Sequence, residues 1–458
     1  MKKLFAILFL IVGGFAASQA QSAAPPATPA GEVFSAWLTA FNSADRATLL
    51  AFHTKYGRGD PRDVDRDLDF RERTGGFELR AIERDTPTSL VALLREKRAE
   101  RFGRIQIDVE AGPPPHITGM MIRPAAAPAP RLSEADAIAS LQARLDQETA
   151  AGRFAGAVLV ARQGKILFQQ GYGLADRARA IPNSVDTRFR IGSMNKMFTA
   201  VAVLQLAEAG KVSLDDPLIK FLPDYPNREL ATKVTLDHLL THRGGTGDFF
   251  VPEYFANKDH IRTFGDYIAL LGKRPLAFEP GERFDYSNYG YLLLGAVIER
   301  VTGRSYYDYV HSEIHARAGM RRTGSEPEDR HVKGLAVGYT RGEREGEWRP
   351  NTADLPYRGT SAGGGYSTVG DLSAFAEALR LGKLLGPTYT AKMLAGYALR
   401  DMRGDGSGYV GHNGGAPGMN GDLRIYAGGY VTVALANLDP PVADDATEFL
   451  DARLPLVR

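Results

Sequence analysis

Ser193 and Lys196 stand three residues apart in Ile191-Gly192-Ser193-Met194-Asn195-Lys196, directly ahead of the run MFTAVAVLQL, residues 197–206. A helix apolar on every side is a buried one. The spacing therefore predicts Ser193 in the first turn of a central helix, with Lys196 on the same side one turn later. A Lys in such surroundings needs a polar task, because burying its charge is costly. Desolvation favours the neutral amine, which can take a proton from a hydroxyl. The helix N-terminus adds backbone donors and positive potential for a developing oxyanion. The chemistry would be that of a Ser nucleophile with a Lys base. Ser-x-x-Lys also arises by chance, and a capping Ser beside an exposed Lys is the alternative.

Two further stretches carry reactive or binding groups. Glu279–Asn288 is a turn-rich loop ahead of a second apolar run, YLLLGAVIERV at residues 291–301. Within it, Tyr286-x-Asn288 places a phenol and an amide on one side of an extended segment. His412-Asn413-Gly414-Gly415 follows the short apolar Tyr409-Val410. Glycines there let a backbone come close to a ligand.

Several elements must position these groups. The chain has 458 residues, 44% of them hydrophobic, a length that suggests about three domains. Residues 1–20 open with Lys2 and Lys3, continue as an apolar run and end in Ser18-Gln19-Ala20. They read as a secretory signal peptide cleaved after Ala20, which places the protein outside the cytoplasm, secreted or periplasmic. Residues 21–30 and 124–132 read as Pro/Ala linkers. Between them, 31–123 shows helical spacing (Val33, Phe34, Trp37, Leu38, Phe41) and then strand alternation at 77–82 and 105–109. This predicts a small α+β domain, similar in pattern to the SnoaL-like cone fold. Its charge-rich middle, 58–73, reads as a solvated loop. Residues 133–458 form the large domain. It starts with a helix capped at Ser133, with Ala137, Leu141 and Leu145 on one face. One hairpin turns at Gln163-Gly164 and another, near the C-terminus, at Gly428-Gly429. Strands at both ends with helices between predict one antiparallel sheet built from the two termini, flanked by helices.

Ser-x-x-Lys, then Tyr-x-Asn about ninety residues on, then a basic residue with Gly two positions later, resembles the serine β-lactamase/penicillin-binding protein superfamily. The class C β-lactamase-related esterases and peptidases are the most similar branch, over roughly residues 135–455. Leu239-Leu240-Thr241-His242 and 364–372 also resemble stretches of that family. The resemblance implies an α+β fold of the β-lactamase/transpeptidase type, with an antiparallel sheet, flanking helices and an all-helical part. It implies Ser193 as the acylated nucleophile, Lys196 as its base or proton carrier, and Tyr286 as the second base. A phenol has an ordinary pKa of about 10, so Tyr286 needs nearby cations or a proton shared with Lys196. Asn288 would hold Lys196 and a substrate carbonyl. The backbone N–H groups of Ser193 and Gly415 would form the oxyanion hole. Where the β-lactamases carry Lys-Thr-Gly, this chain has His412-Asn413-Gly414. A His is mostly neutral at neutral pH, so carboxylate anchoring should weaken. Ester or amide hydrolysis is therefore ranked above β-lactamase or D-alanyl-D-alanine carboxypeptidase activity. A non-catalytic sensor of penicillin or peptidoglycan fragments is the reading from another class. The complete Ser/Lys/Tyr/Asn set favours the enzyme.

Other signals in the sequence compete with these. The chain has no Cys, which excludes disulfides, Cys-ligated metals and a Cys nucleophile. Gly359-Thr360-Ser361-Ala362-Gly363 fits G-x-S-x-G, but no strand precedes it and no helix follows. It reads as a loop at the rim of the site. His238/His242 and His311/His315 have helical zinc-ligand spacing but lack the Glu of H-E-x-x-H, so no metal is expected. No P-loop or dinucleotide fingerprint is present, and no cofactor is expected. Two of the 56 basic residues, Lys2 and Lys3, lie in the leader, and none of the 54 acidic ones does. The remainder balances at zero, which gives no electrostatic reason for a nucleic-acid partner. No later stretch is long enough to span a membrane. The expected partner is a small ester, amide or peptide substrate. The sequence assigns no oligomeric state.

Overall fold

Apolar residues at alternate positions divide the central sheet between two cores. The computed structural model describes residues 26–57, 61–98, 101–110, 112–125, 129–341, 347–401 and 409–456. Residues 1–20, expected from the sequence to be a signal peptide, lie outside them. The N-terminal unit comprises helices α1 (Pro29–Ser43), α2 (Arg46–Tyr56) and α3 (Pro61–Thr74), followed by strands β1 (Phe77–Thr86), β2 (Ser89–Glu96), β3 (Phe102–Glu110) and β4 (His116–Ala125). The strands form an antiparallel meander in chain order. The helices pack on one face around Phe34, Trp37, Phe41, Leu90, Ala92 and Ile105.

Two expectations change here. The charged stretch from residue 61 onward is helix α3, not loop. Val64 is buried, and Leu68 and Phe70 pack against the same cluster, so a few apolar contacts anchor a helix that is otherwise rich in charge. The first linker ends earlier than residue 30. Thr28 caps α1 by accepting from Gly31 N at 3.0 Å, and Pro29 fits the first turn, where its missing N–H costs nothing. Likewise β4 runs through Pro124 and Ala125, into the second expected linker.

The large unit opens with α4 (Glu134–Ala150), capped by Ser133 as the sequence predicts, with Ala137, Leu141 and Leu145 buried. Then come β5 (Gly156–Arg162), β6 (Lys165–Tyr172), α5 (Asn195–Glu208), α6 (Asn288–Thr302), α7 (Val369–Arg380), β7 (Arg400–Asp401), β8 (Tyr409–Ala416), β9 (Met419–Tyr426), β10 (Tyr430–Ala436) and α8 (Val442–Asp451). The sheet order is β7-β8-β9-β10-β5-β6, antiparallel throughout. The strand from the C-terminal end thus pairs with the first of the unit, in the register Val433↔Leu159.

Ala157, Leu159, Val433 and Leu435 face the cluster that holds α5, α6 and α7. Val158, Val160, Ala434 and Ala436 face the one that holds α4 and α8. That two-residue period pins the register, since a one-residue slip would exchange the faces. Every residue of α5 from Asn195 to Ala207 is buried, as its uniformly apolar sequence requires. Among the described residues no helix is long and apolar enough to cross a membrane.

Candidate active site

Ser193 sits in a short 3-10 turn, Gly192–Met194, that leads into α5. Gly192 has φ +50°, which L-residues rarely adopt, and an added Cβ would lie 2.9 Å from Gly415 N. A Cβ on Gly414 would lie 2.1 Å from Ile191 O and 2.9 Å from Ser193 N. Strand β8 therefore passes the turn that carries Ser193 backbone against backbone, and the glycines of 414–415 make that approach possible. The N–H groups of Ser193 and Gly415 come from these two adjoining segments.

Lys196 is fully buried. Its Nζ donates to Ser193 Oγ at 3.2 Å, to Asn288 Oδ1 at 2.7 Å and to the Ala362 carbonyl. Tyr286 Oη lies 2.8 Å from Ser193 Oγ. The Ser193 hydroxyl thus has a phenol on one side and an amine on the other, both within hydrogen-bond distance. Lys196 Nζ also sits 4.8 Å from the centre of the Tyr286 ring and 5.5 Å from that of Tyr291. A cation there is stabilised by both rings.

Asn288 is the first residue of α6, capped by Ser287, whose Oγ accepts from Gly290 N at 2.8 Å. Its Nδ2 donates to Asp248 Oδ2 at 2.8 Å, which fixes the amide so that Oδ1 faces Lys196. His242, at φ +57°, stacks on Tyr286 with centroids 4.4 Å apart and accepts from Ser287 N at 3.1 Å.

The structure brings Ser193, Lys196, Tyr286, Asn288, Gly414 and Gly415 together. His412, nearly buried on β8, lines the same cleft, its Nδ1 2.5 Å from Asn413 O. The G-x-S-x-G loop lies beneath the site rather than on its rim. Ser361 is fully buried and donates to Tyr291 O at 2.8 Å, while Ala362 presents its carbonyl to Lys196. Among the described residues no group of three or more metal-ligating side chains occurs. His238 caps a turn through Thr235, and His315 packs edge-on against Phe198 of α5. Sequence reasoning missed Asp248 and Asn420. Each acts through side-chain hydrogen bonds from a position that no local pattern marks.

Behind β8, α8 and β9 carry a buried ionic cluster. Arg424 donates to Asp422 at 2.7 Å and to Glu448 at 2.6 Å, and Arg104 of the N-terminal unit donates to Glu448 at 2.9 Å. Burial opposes ionisation of Glu448, but the two guanidiniums outweigh it and hold the carboxyl at about 2.

Fold and site together define a serine hydrolase of the β-lactamase/transpeptidase type. The Beta-lactamase family profile matches residues 141–455, and the chain belongs to that family. It is similar to the esterase EstB of Burkholderia gladioli, 33% identical over 313 residues, 60% of this chain and 77% of the relative. It is 29% identical to the teichoic acid D-alanine hydrolase of Staphylococcus aureus over 252 residues, 55% of this chain and 60% of that relative. A solved penicillin binding protein from Bacillus halodurans superposes with a TM-score of 0.61 at 33% identity, covering 67% of this chain and 99% of the other.

Proposed function

We propose that the protein is an exported hydrolase that cleaves an ester or amide bond through an acyl-enzyme on Ser193. The observation that carries this reading is the position of Ser193 Oγ between Tyr286 Oη at 2.8 Å and Lys196 Nζ at 3.2 Å. In acylation, Ser193 Oγ attacks the substrate carbonyl carbon as its proton passes to the Tyr286/Lys196 pair. The carbonyl oxygen becomes an oxyanion held by the N–H groups of Ser193 and Gly415. Collapse expels the alcohol or amine, which takes the proton back. Water then attacks the acyl-enzyme, with the same pair acting as base, and releases the acid. Asn288 keeps Lys196 in place and is positioned to donate to a substrate carbonyl.

Similarity to an esterase and to a D-alanine hydrolase supports ester and D-amino-acyl substrates. His412, standing where the β-lactamases carry Lys, supports neutral substrates over carboxylates. Export rests on the leader, residues 1–20, and the mass of the mature N-terminus from the native host tests it, with cleavage after Ala20 as the expected result. For the chemistry, Ser193→Ala is expected to abolish turnover of p-nitrophenyl acetate while the thermal midpoint holds. Unchanged turnover would refute the nucleophile.

A further inference from the structure

Ser193 opens into a cavity of about 470 Å³ whose lining is not confined to the catalytic unit. The cavity runs past Gly415 and His412 on β8 and reaches Val91, Gln106 and Met121 of the N-terminal sheet. These three are cross-strand neighbours, in the registers Val91↔Gln106 and Gln106↔Met121, so they share one face. It is the face turned away from the helices of their own unit. Leu90, Ala92 and Leu94 supply that unit's core, whereas Val91 is outside it and still only 2% exposed. Its cover comes from the other side of the sheet, where α8 packs against β4 and Arg104 donates to Glu448. Met121 is 37% exposed, and Phe284, on the catalytic side of the same cavity, is 36% exposed. Large apolar side chains left open beside a nucleophile are suited to an apolar ligand.

We propose that the N-terminal sheet is a wall of the substrate cleft. Met121, backed by Val91, on one side and Phe284 on the other receive an apolar substituent of several carbons on the substrate whose carbonyl is attacked by Ser193. The inference rests on the hydrolase reading above and names the substrate class for it. A cavity of this size is far larger than an acetyl or alanyl group needs, and its continuity with Ser193 ties the occupant to the substrate rather than to a separate ligand.

The test is Met121→Asp in the full chain, with Leu50→Asp, on an exposed position of α2, as the control. Two series are measured: p-nitrophenyl esters from acetate to octanoate, and acetate esters of methanol to octanol. The ratio of kcat/KM for the longest member to that for the shortest is expected to fall about tenfold with Met121→Asp in at least one series, and to hold in Leu50→Asp. An unchanged ratio in both series, with the protein folded, overturns the proposal. Calorimetric binding of p-nitrophenyl octanoate to Ser193→Ala, with and without Met121→Asp, reads the same wall without turnover. A protein that hydrolyses nothing but still loses octanoate affinity about tenfold on Met121→Asp refutes the hydrolase reading and keeps the wall. Equal affinity refutes the wall.

Discussion

The Asn420 side-chain amide donates to the Gly414 carbonyl at 3.0 Å. Gly414 C=O and Gly415 N–H belong to one trans peptide, so they point in opposite directions. Holding the carbonyl toward Asn420 directs the N–H toward the turn that carries Ser193. Asn420 is itself fixed, since it donates to Asp444 at 2.8 Å and accepts from Ala443 N at 2.7 Å. Asn420→Ala is expected to lower kcat about tenfold or more with KM changed less than twofold, measured well below the thermal midpoint. Loss of an oxyanion donor outright costs more, roughly a hundredfold or beyond. A fall in folded fraction alone would lower the active concentration and leave the pH profile of kcat unaltered, so the profile is measured as well.

Tyr286→Phe keeps the ring stacked on His242 and over Lys196, and it deletes only the hydroxyl 2.8 Å from Ser193 Oγ. We expect kcat/KM for p-nitrophenyl acetate to fall by about two to four orders of magnitude, the range of a lost proton-transfer group. The thermal midpoint should move little, because Tyr286 is 37% exposed.

His412→Lys would place a lasting positive charge in the cleft, beside Gly414. The kcat/KM for a carboxylate-bearing chromogenic cephalosporin is expected to rise at least tenfold relative to that for a neutral ester. Steady-state rates at two salt concentrations check the cause, since a charge effect weakens with salt.

His315 lowers the stability of the protein in mild acid. Burial, with a smaller contribution from His311, holds its imidazole at about 3, and neither ring nitrogen has a hydrogen-bond partner among the described residues. The unfolded chain takes up the proton near pH 6.5 and the folded chain does not until about 3. Stability is therefore lost as pH falls through that window, by about 2 kcal/mol at pH 5. His315→Leu is expected to reduce the drop in unfolding free energy between pH 7 and pH 5 by about that amount, as read from denaturant titrations at the two values.

The reactive groups were legible because their spacing is local or recurs in order. Ser193 and Lys196 are one helical turn apart, and Tyr286-x-Asn288 ends on the first residue of a helix. The groups that orient them were not. Ala362 acts through its carbonyl, which any residue possesses, and Asp248 and Asn420 act through contacts that only the fold creates. Helix α3 was hidden because Val64 and Leu68 are outnumbered by charges around them. The wall formed by Val91 and Met121 depends on how two units meet, and no pattern in either one encodes it.

The pairing of β10 with β5 also has a consequence for biosynthesis. Val431 finds Ala161 only after some 270 intervening residues have been made, and Gly415 reaches Ser193 on the same late schedule. A ribosome can finish the N-terminal meander early, but the catalytic sheet must wait for the tail. Contacts so distant in sequence form slowly. The half-made chain carries Ser193 without the strand that would form its oxyanion hole. Ser193 and the Gly415 N–H therefore come together only once the last strands have joined the sheet.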